Sequence, residues 1–278
     1  MSDGEALRSQ VSVDGVNELV QLLRGEDLDF DQIEECVASV VNTSDRTLQP
    51  VLEGHLCDFV DTGDWYARDE IARLLYEICG VDALLALLKA MARDLGDDQD
   101  SLAGMVVDLF GTDRVTARSA ALDCAASAGS ELRRIGVWAL GFVGTPADQE
   151  LIVGAAADME PQIRSTAMGS ISRTADRDPR VAEVLRAGTC DPDPQVRVSA
   201  IDKLGWHRVP SLVPLIAACA EDPEPRVRTF VAHALGRITE MPDAARGILE
   251  VLAGDRDVRV RDAAQRALAA AARTSFRS

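Results

Sequence analysis

The chain has 278 residues, enough for one large domain or two small ones with a continuous core. Hydrophobic residues make up 47% and charged residues 27%, which excludes disorder as the default state, and with aromatics at only 4% the apolar content rests on Ala, Leu and Val, favouring helices over a sandwich or barrel. The net charge of −17 argues against wrapping DNA or an anionic membrane and makes a basic partner easier to accept.

The opening residues, MSDGEALRSQVSVDG, lack a basic segment followed by an apolar one, and no apolar run approaches the roughly eighteen residues of a membrane span, so a cytoplasmic protein is expected. Residues 1–63 contain the helical runs VDGVNELVQLLRG, DFDQIEECVASVVN and RTLQPVLEGHLCDFV, read as two degenerate helix pairs. Almost all of the charge imbalance lies here: residues 1–100 hold 23 acidic and 7 basic side chains, residues 101–278 hold 23 and 22. Glu26, Asp27, Asp29, Asp31, Glu34 and Glu35 form one acidic cluster; Asp58, Asp61, Asp64, Asp69 and Glu70 form a second. If successive helix pairs stack, the two clusters lie about one repeat apart and merge into one negative surface. Two readings stay open for it, a solvated face that keeps the chain soluble and a docking surface for a cationic protein.

Further along, an internal repeat is visible. DMEPQIR (158–164), DPDPQVR (191–197), DPEPRVR (222–228) and DRDVRVR (255–261) align without gaps, and a fifth arginine, Arg133, stands one step earlier. Each arginine follows an apolar residue (Leu132, Ile163, Val196, Val227, Val260). It precedes by three a small or β-branched one (Gly136, Ala167, Ala200, Val231, Ala264) and by seven Leu140, Ile171, Leu204, Leu235 or Leu268. Counted from the first, these are i, i+4 and i+8, one stripe of an α-helix, with the small middle position admitting a neighbouring helix. Pro161, Pro194 and Pro225 mark helix starts, each preceded by an acidic residue suited to the orphan N–H groups and the positive dipole end. Gly141, Gly144, Gly205 and Gly236 read as helix-end caps. A second apolar segment follows each first helix, at residues 147–158, 178–190, 211–222 and 241–254. Asp64 to Leu75 keeps an arginine, Arg68, and a leucine seven apart, and the segment near residue 100 fits the register without the arginine.

The acidic turn, Pro, apolar-Arg, small residue and Leu-Gly of DPDPQVRVSAIDKLG and DPEPRVRTFVAHALG resemble the short HEAT repeats of bacteria, a class also found in phycobilisome lyases. The resemblance is strong over residues 129–278 and fades towards the N-terminus. It implies an all-α solenoid of about eight stacked helix pairs, with an acidic part over residues 1–100 continuous with regular repeats over 101–278 and a capping helix at the end. It also implies that Asp158, Asp191, Asp222 and Asp255 hydrogen-bond with Arg164, Arg197, Arg228 and Arg261 as a ladder along the stack. HEAT-like deoxyhypusine hydroxylases hold iron with His-Glu pairs, which His55-Leu56, His207-Arg208 and His233-Ala234 do not supply.

The six cysteines are far apart and form no CxxC pair, and are read as reduced core residues; no metal site or cofactor is expected. No nucleophile elbow, glycine-rich phosphate loop or HExxH run is present. Trp138 and Trp206, each near arginines, suggest stacking platforms if the chain resembles a HEAT-like DNA glycosylase, but only two lysines exist, Lys89 and Lys203, and buried tryptophans are expected instead. The expected function is therefore a non-enzymatic protein-binding scaffold. Its basic protein partner, in one version the nuclease toxin of an immunity or antitoxin pair, meets Asp27, Asp29, Asp31, Glu34, Glu35, Asp58, Asp61, Asp64, Trp65, Tyr66, Asp69 and Glu70, with Phe30 adding apolar contact. No small-molecule substrate, nucleic acid or membrane partner is expected. The alternative is a lyase-like or glycosylase-like HEAT enzyme that binds its ligand on a concave face.

Overall fold

A computed structural model describes residues 3–97, 99–171, 179–208, 210–238 and 241–275, and among them every regular element is helical. The chain forms two compact units, residues 1–143 and 144–278. In the first, α1 (Asp3–Leu23), α2 (Phe30–Thr43), α3 (Gln49–Thr62), α4 (Trp65–Cys79), α5 (Leu84–Met91), α6 (Asp100–Thr112), α7 (Arg114–Ala125) and α8 (Ser130–Val143) stack as a two-layered α-solenoid. The helices α2, α4, α6 and α8 pack in succession, and α3, α5 and α7 do the same behind them. The second unit repeats the plan with α9 (Gln149–Ala155), α10 (Pro161–Ser170), α11 (Pro179–Gly188), α12 (Pro194–His207), α13 (Val213–Ala217), α14 (Pro225–Gly236), α15 (Asp243–Leu252) and α16 (Val258–Ser275). There α10, α12, α14 and α16 form the continuous layer.

The apolar stripes account for this packing. On α4, Ala67, Ile71, Leu74, Leu75 and Ile78 are buried, and on α14, Val227, Val231, Ala234 and Leu235 are fully buried. Pro194 opens α12, and the Asp193 carboxylate before it accepts from the N–H groups of Gln195 (2.8 Å) and Val196 (3.3 Å). Among the described residues, α3, α5, α9 and α13 of the second layer are entered through a turn of 3₁₀ helix, which shortens the apolar segments that the sequence marks out.

Two sequence expectations change. Gly205 and Gly236 are not left-handed caps, since Gly205 lies inside α12, Gly236 is the last residue of α14, and neither has a positive φ. They are points of contact instead: a Cβ on Gly205 would stand 2.7 Å from Ala234 Cα, and one on Gly236 2.8 Å from Ala267 Cβ. The small middle position behaves as expected at Gly136, where a Cβ would lie 2.1 Å from the backbone nitrogen of Ala125, so α7 and α8 meet almost backbone to backbone. A true left-handed cap occurs at Gly63, φ 77°, which ends α3 and turns the chain into Asp64. The cysteines also differ from expectation: Cys79, Cys124 and Cys219 are buried, and burial pushes the Cys124 and Cys219 thiols up to about 11, whereas Cys57 and Cys190 are exposed. All six are free thiols.

Candidate functional site

The repeated arginines form the ladder that the resemblance implies, and the structure gives its direction. Arg164 grips Asp191 of the following turn through Nε and Nη2, both at 2.8 Å; Arg197 grips Asp222 at 2.8 and 2.9 Å, and Arg228 grips Asp255 at 2.8 and 2.9 Å. The remaining Nη1 turns back to the carbonyl of its own turn: Asp158 (3.0 Å), Asp191 (2.8 Å) and Asp222 (2.7 Å) for these three, and Asp255 (2.7 Å) for Arg261. Each turn aspartate also accepts the N–H two residues on, as Asp191 does from Asp193 at 2.9 Å. These are bidentate, charge-assisted bonds in partly buried surroundings, so these arginines and aspartates are occupied as structural parts. Burial works against the Asp191 carboxylate, yet its bonds from Arg164 and the backbone hold it below the usual range; Arg228 does the same for Asp255.

The same bonding recurs within the first unit at a position the sequence marks only by Arg68. This side chain is fully buried and binds Asp97 through Nη1 (3.1 Å) and Nη2 (2.6 Å), with Asp69 at 2.6 Å on the other side. Asp97 accepts from Gln99 N–H at 3.1 Å, the same turn geometry as in the regular repeats. Each ladder arginine lies six residues after its turn aspartate, and counting six from Asp97 reaches Ala103. In the next turn Ser127 stands where an aspartate is expected, its Oγ accepting from Gly129 N–H at 3.1 Å. Arginine and carboxylate are thus missing together from that rung, which leaves no charge stranded in the stack.

The predicted partner-binding residues separate into three groups. Asp29 and Asp64 cap α2 and α4, accepting from Gln32 N–H (3.1 Å) and Ala67 N–H (3.0 Å). Because α2 and α4 pack together, their first residues meet: the Phe30 and Tyr66 rings stand edge to face at 5.5 Å, and Trp65 meets Tyr66 at 6.1 Å. Phe30 is 61% exposed and Trp65 50%. Glu34 reaches across from α2 to Arg73 on α4 in a two-point ion pair at 2.7 and 2.8 Å, with Glu70 close behind at 3.8 Å from Arg73. Burial raises the Glu70 pKa against the pull of Arg73, helped by Glu34 and Asp69. Asp27, Asp31 and Glu35 lie exposed around the same end of α2. This first group therefore comprises an aromatic trio within an acidic border.

The second group, Asp58 and Asp61, sits on α3 in the other layer, each beside an arginine: Arg24 at 3.4 Å and Arg93 at 3.3 Å. The third is Asp69, turned inward to Arg68. The two acidic clusters of the sequence thus join only in part, where Glu34 meets Arg73 and Glu70.

Elsewhere, the histidines remain scattered, with burial lowering the pKa of His55 and His233, and among the described residues no group of His, Cys, Asp and Glu is arranged to hold a metal ion. Trp138 is half-buried against Phe142 (5.0 Å) and Phe110 (5.8 Å). Trp206 departs from expectation: it is 42% exposed, because position 206 lies off the buried stripe of Val196, Ala200 and Leu204. No described helix is long and apolar enough to cross a membrane.

Residues 183–269 match the family described as HEAT repeats. No curated protein matches the sequence. Among solved structures, the chain is similar to Kap121p, with a TM-score of 0.58 at 17% identity for the mutant D353K/E396K/D438K, covering 96% of this chain and 35% of that one. Kap121p bound to Nup53p gives 0.58 at 16% identity, covering 91% and 33%. YibA of Escherichia coli gives 0.51 at 16% identity and covers 98% of both chains. The chain spans about a third of the length of Kap121p. At these identities the likeness is one of fold, the HEAT-type solenoid.

Proposed function

We propose that the chain is a non-catalytic protein-interaction scaffold that docks a basic protein on the end of α2 and α4, with an inhibitor of the immunity or antitoxin kind as one form of this role. The observation that carries the reading is the coincidence of two exposed aromatic rings, Phe30 and Trp65, with the carboxylates Glu34 and Glu70 that act on Tyr66 between them. Large exposed rings mark interaction sites more often than solvated surface, and tyrosine, tryptophan and arginine dominate binding energy where two proteins meet. Acidic residues around such rings raise the encounter rate with a cationic surface and select against anionic ones. Kap121p, of the same fold, has been captured bound to Pho4p and to Nup53p, which supports a binding role for this architecture without indicating the partner here.

The test uses an arginine-rich peptide as a probe, titrated by calorimetry against the full chain. Asp27, Asp31 and Glu35 are the acids to reverse, because Asp29 caps α2 and Asp69 holds Arg68. The triple change to Lys is expected to weaken binding at least about tenfold and to flatten its salt dependence, and Trp65→Ala to cost about 2 kcal/mol or more. Unchanged affinity in both variants would leave the acidic face as a solubilising surface.

A further inference from the structure

The second unit carries a surface of arginines. Repetition sets equivalent positions of α14 and α16 side by side: Arg226 and Arg259 each stand two residues before a ladder arginine and 33 residues apart, and His233 and Arg266 follow them seven residues further along. Burial, Arg237 and then Arg266 lower the His233 pKa, so Arg266 faces α14. Arg273 continues the same stripe of α16 seven residues beyond Arg266. Along its 18 residues α16 holds four arginines and a single carboxylate, Asp262. Arg259 is bonded to Asp257 and Arg261 to its own turn, whereas Arg226, Arg266 and Arg273 are exposed and, among the described residues, their side chains make no bond. We propose that this cationic face is met by a second copy of the chain, through the exposed carboxylates and rings at the start of α2 and α4, an inference that rests on the reading above and makes the basic partner the chain itself.

The two faces match in charge and in chemistry. Asp27, Asp31 and Glu35 are exposed and, among the described residues, unpaired with any cation, as Arg226, Arg266 and Arg273 are unpaired with any carboxylate. Their meeting therefore joins charges that a single copy leaves open and breaks no ion pair. Phe30 and Trp65 add exposed ring faces, on which a guanidinium stacks. The cationic face is built from arginine and has apolar surface of its own at Val258, 55% exposed beside Arg259, and at Phe230, against which His233 packs at 5.6 Å. Every copy carries both faces, so complementary surface rises in step with the chain's own concentration. Because the two patches differ, the contact is heterologous and admits further copies. Nucleic acid fits the arginines less well, since it must approach a chain of net charge −17.

The test is sedimentation velocity of the full chain from about 1 to about 300 µM, at about 50 mM and about 500 mM salt. At low salt the average mass is expected to rise with concentration to at least that of two chains, and at high salt to stay at one. Arg226→Glu with Arg266→Glu and Arg273→Glu, and separately Asp27→Lys with Asp31→Lys and Glu35→Lys, are each expected to weaken association about tenfold or more. Mixing the two variants is expected to restore it, because each supplies the face the other lacks. Each triple change shifts the net charge of −17 by six, so both variants stay negative and bulk charge alone would hold the mixture apart. All six side chains are exposed, and circular dichroism shows whether the fold is kept; Arg266→Glu alone, expected to weaken association about threefold or more, serves where a triple change does not fold. A single chain at every concentration in low salt, association indifferent to salt or to either variant, or a mixture that stays apart overturns the proposal. If the arginine-rich probe binds a chain that never self-associates, the α2 and α4 face stands and only the second copy is removed; if neither occurs, the reading beneath it falls as well.

Discussion

The two units are built on one plan and use charge differently. Residues 144–278 hold 19 acidic and 18 basic side chains, and the regular part of the ladder joins Arg164, Arg197 and Arg228 to Asp191, Asp222 and Asp255 at successive turns. Residues 1–143 hold 27 and 11, and among the described residues Arg68 with Asp97 forms a full rung, followed by the vacant one at Ala103 and Ser127. In the second unit acidity is a component of the stack. In the first, most of it lies outside the stack and stays on the surface.

The largest expected effect probes that difference directly. Arg68→Met strands Asp97 beside a buried site and should cost about 3–5 kcal/mol, whereas Arg197→Met, at a rung 13% exposed, should cost less. Urea denaturation measures both. The double change Arg68→Met with Asp97→Asn should recover part of the loss; no recovery would mean that the cost lies in packing and not in stranded charge.

Backbone contact gives the next effect. Gly136→Ala forces α7 and α8 apart and should destabilise by about 1–3 kcal/mol, while Gly104→Ala, in a helix with nothing within 4 Å of the added carbon, should stabilise by about 0.5–1 kcal/mol. Thermal melts of the pair should shift in opposite directions.

The smallest effect is a dependence on pH with opposite signs for two kinds of carboxylate. Asp97, Asp191 and Asp255 have lowered folded pKa values, so their stabilisation is complete above the unfolded value of about 3.9 and disappears as the pH falls through the folded values beneath it. Glu70 is raised, so ionising it costs stability as the pH climbs through its range. Glu70→Gln should therefore raise the melting temperature at pH 7 and change little at pH 3. A uniform effect at both would remove burial of the charge as its cause.

The stripe of Val196, Ala200 and Leu204, the proline starts and the ladder partners were legible because periodicity and spacing carry them directly. Asp97 was not, since it lies in the acidic run GDDQD without a proline to mark its turn; its distance of 29 residues from Arg68, close to the 27 between Arg164 and Asp191, was the usable signal. Gly205 and Gly236 were read as caps because both stand at or near a helix end, and sequence does not show that the next helix touches there. Trp206 was expected inside because a large ring in a helical run does not declare its face. The aromatic trio joins residues 36 positions apart, Phe30 and Tyr66, and only the packing of α2 on α4 brings them together.

Each rung of the second unit joins an arginine from one step to a carboxylate of the following step, and the same guanidinium also ties down its own turn. Whole steps can therefore be duplicated or deleted in that stretch with every bond re-formed at the new junction and with little change in overall charge. Part of a step cannot. The array can accordingly change length in evolution, or in the hands of a designer, only in complete units, while the acidic first unit can vary its face without disturbing that arithmetic.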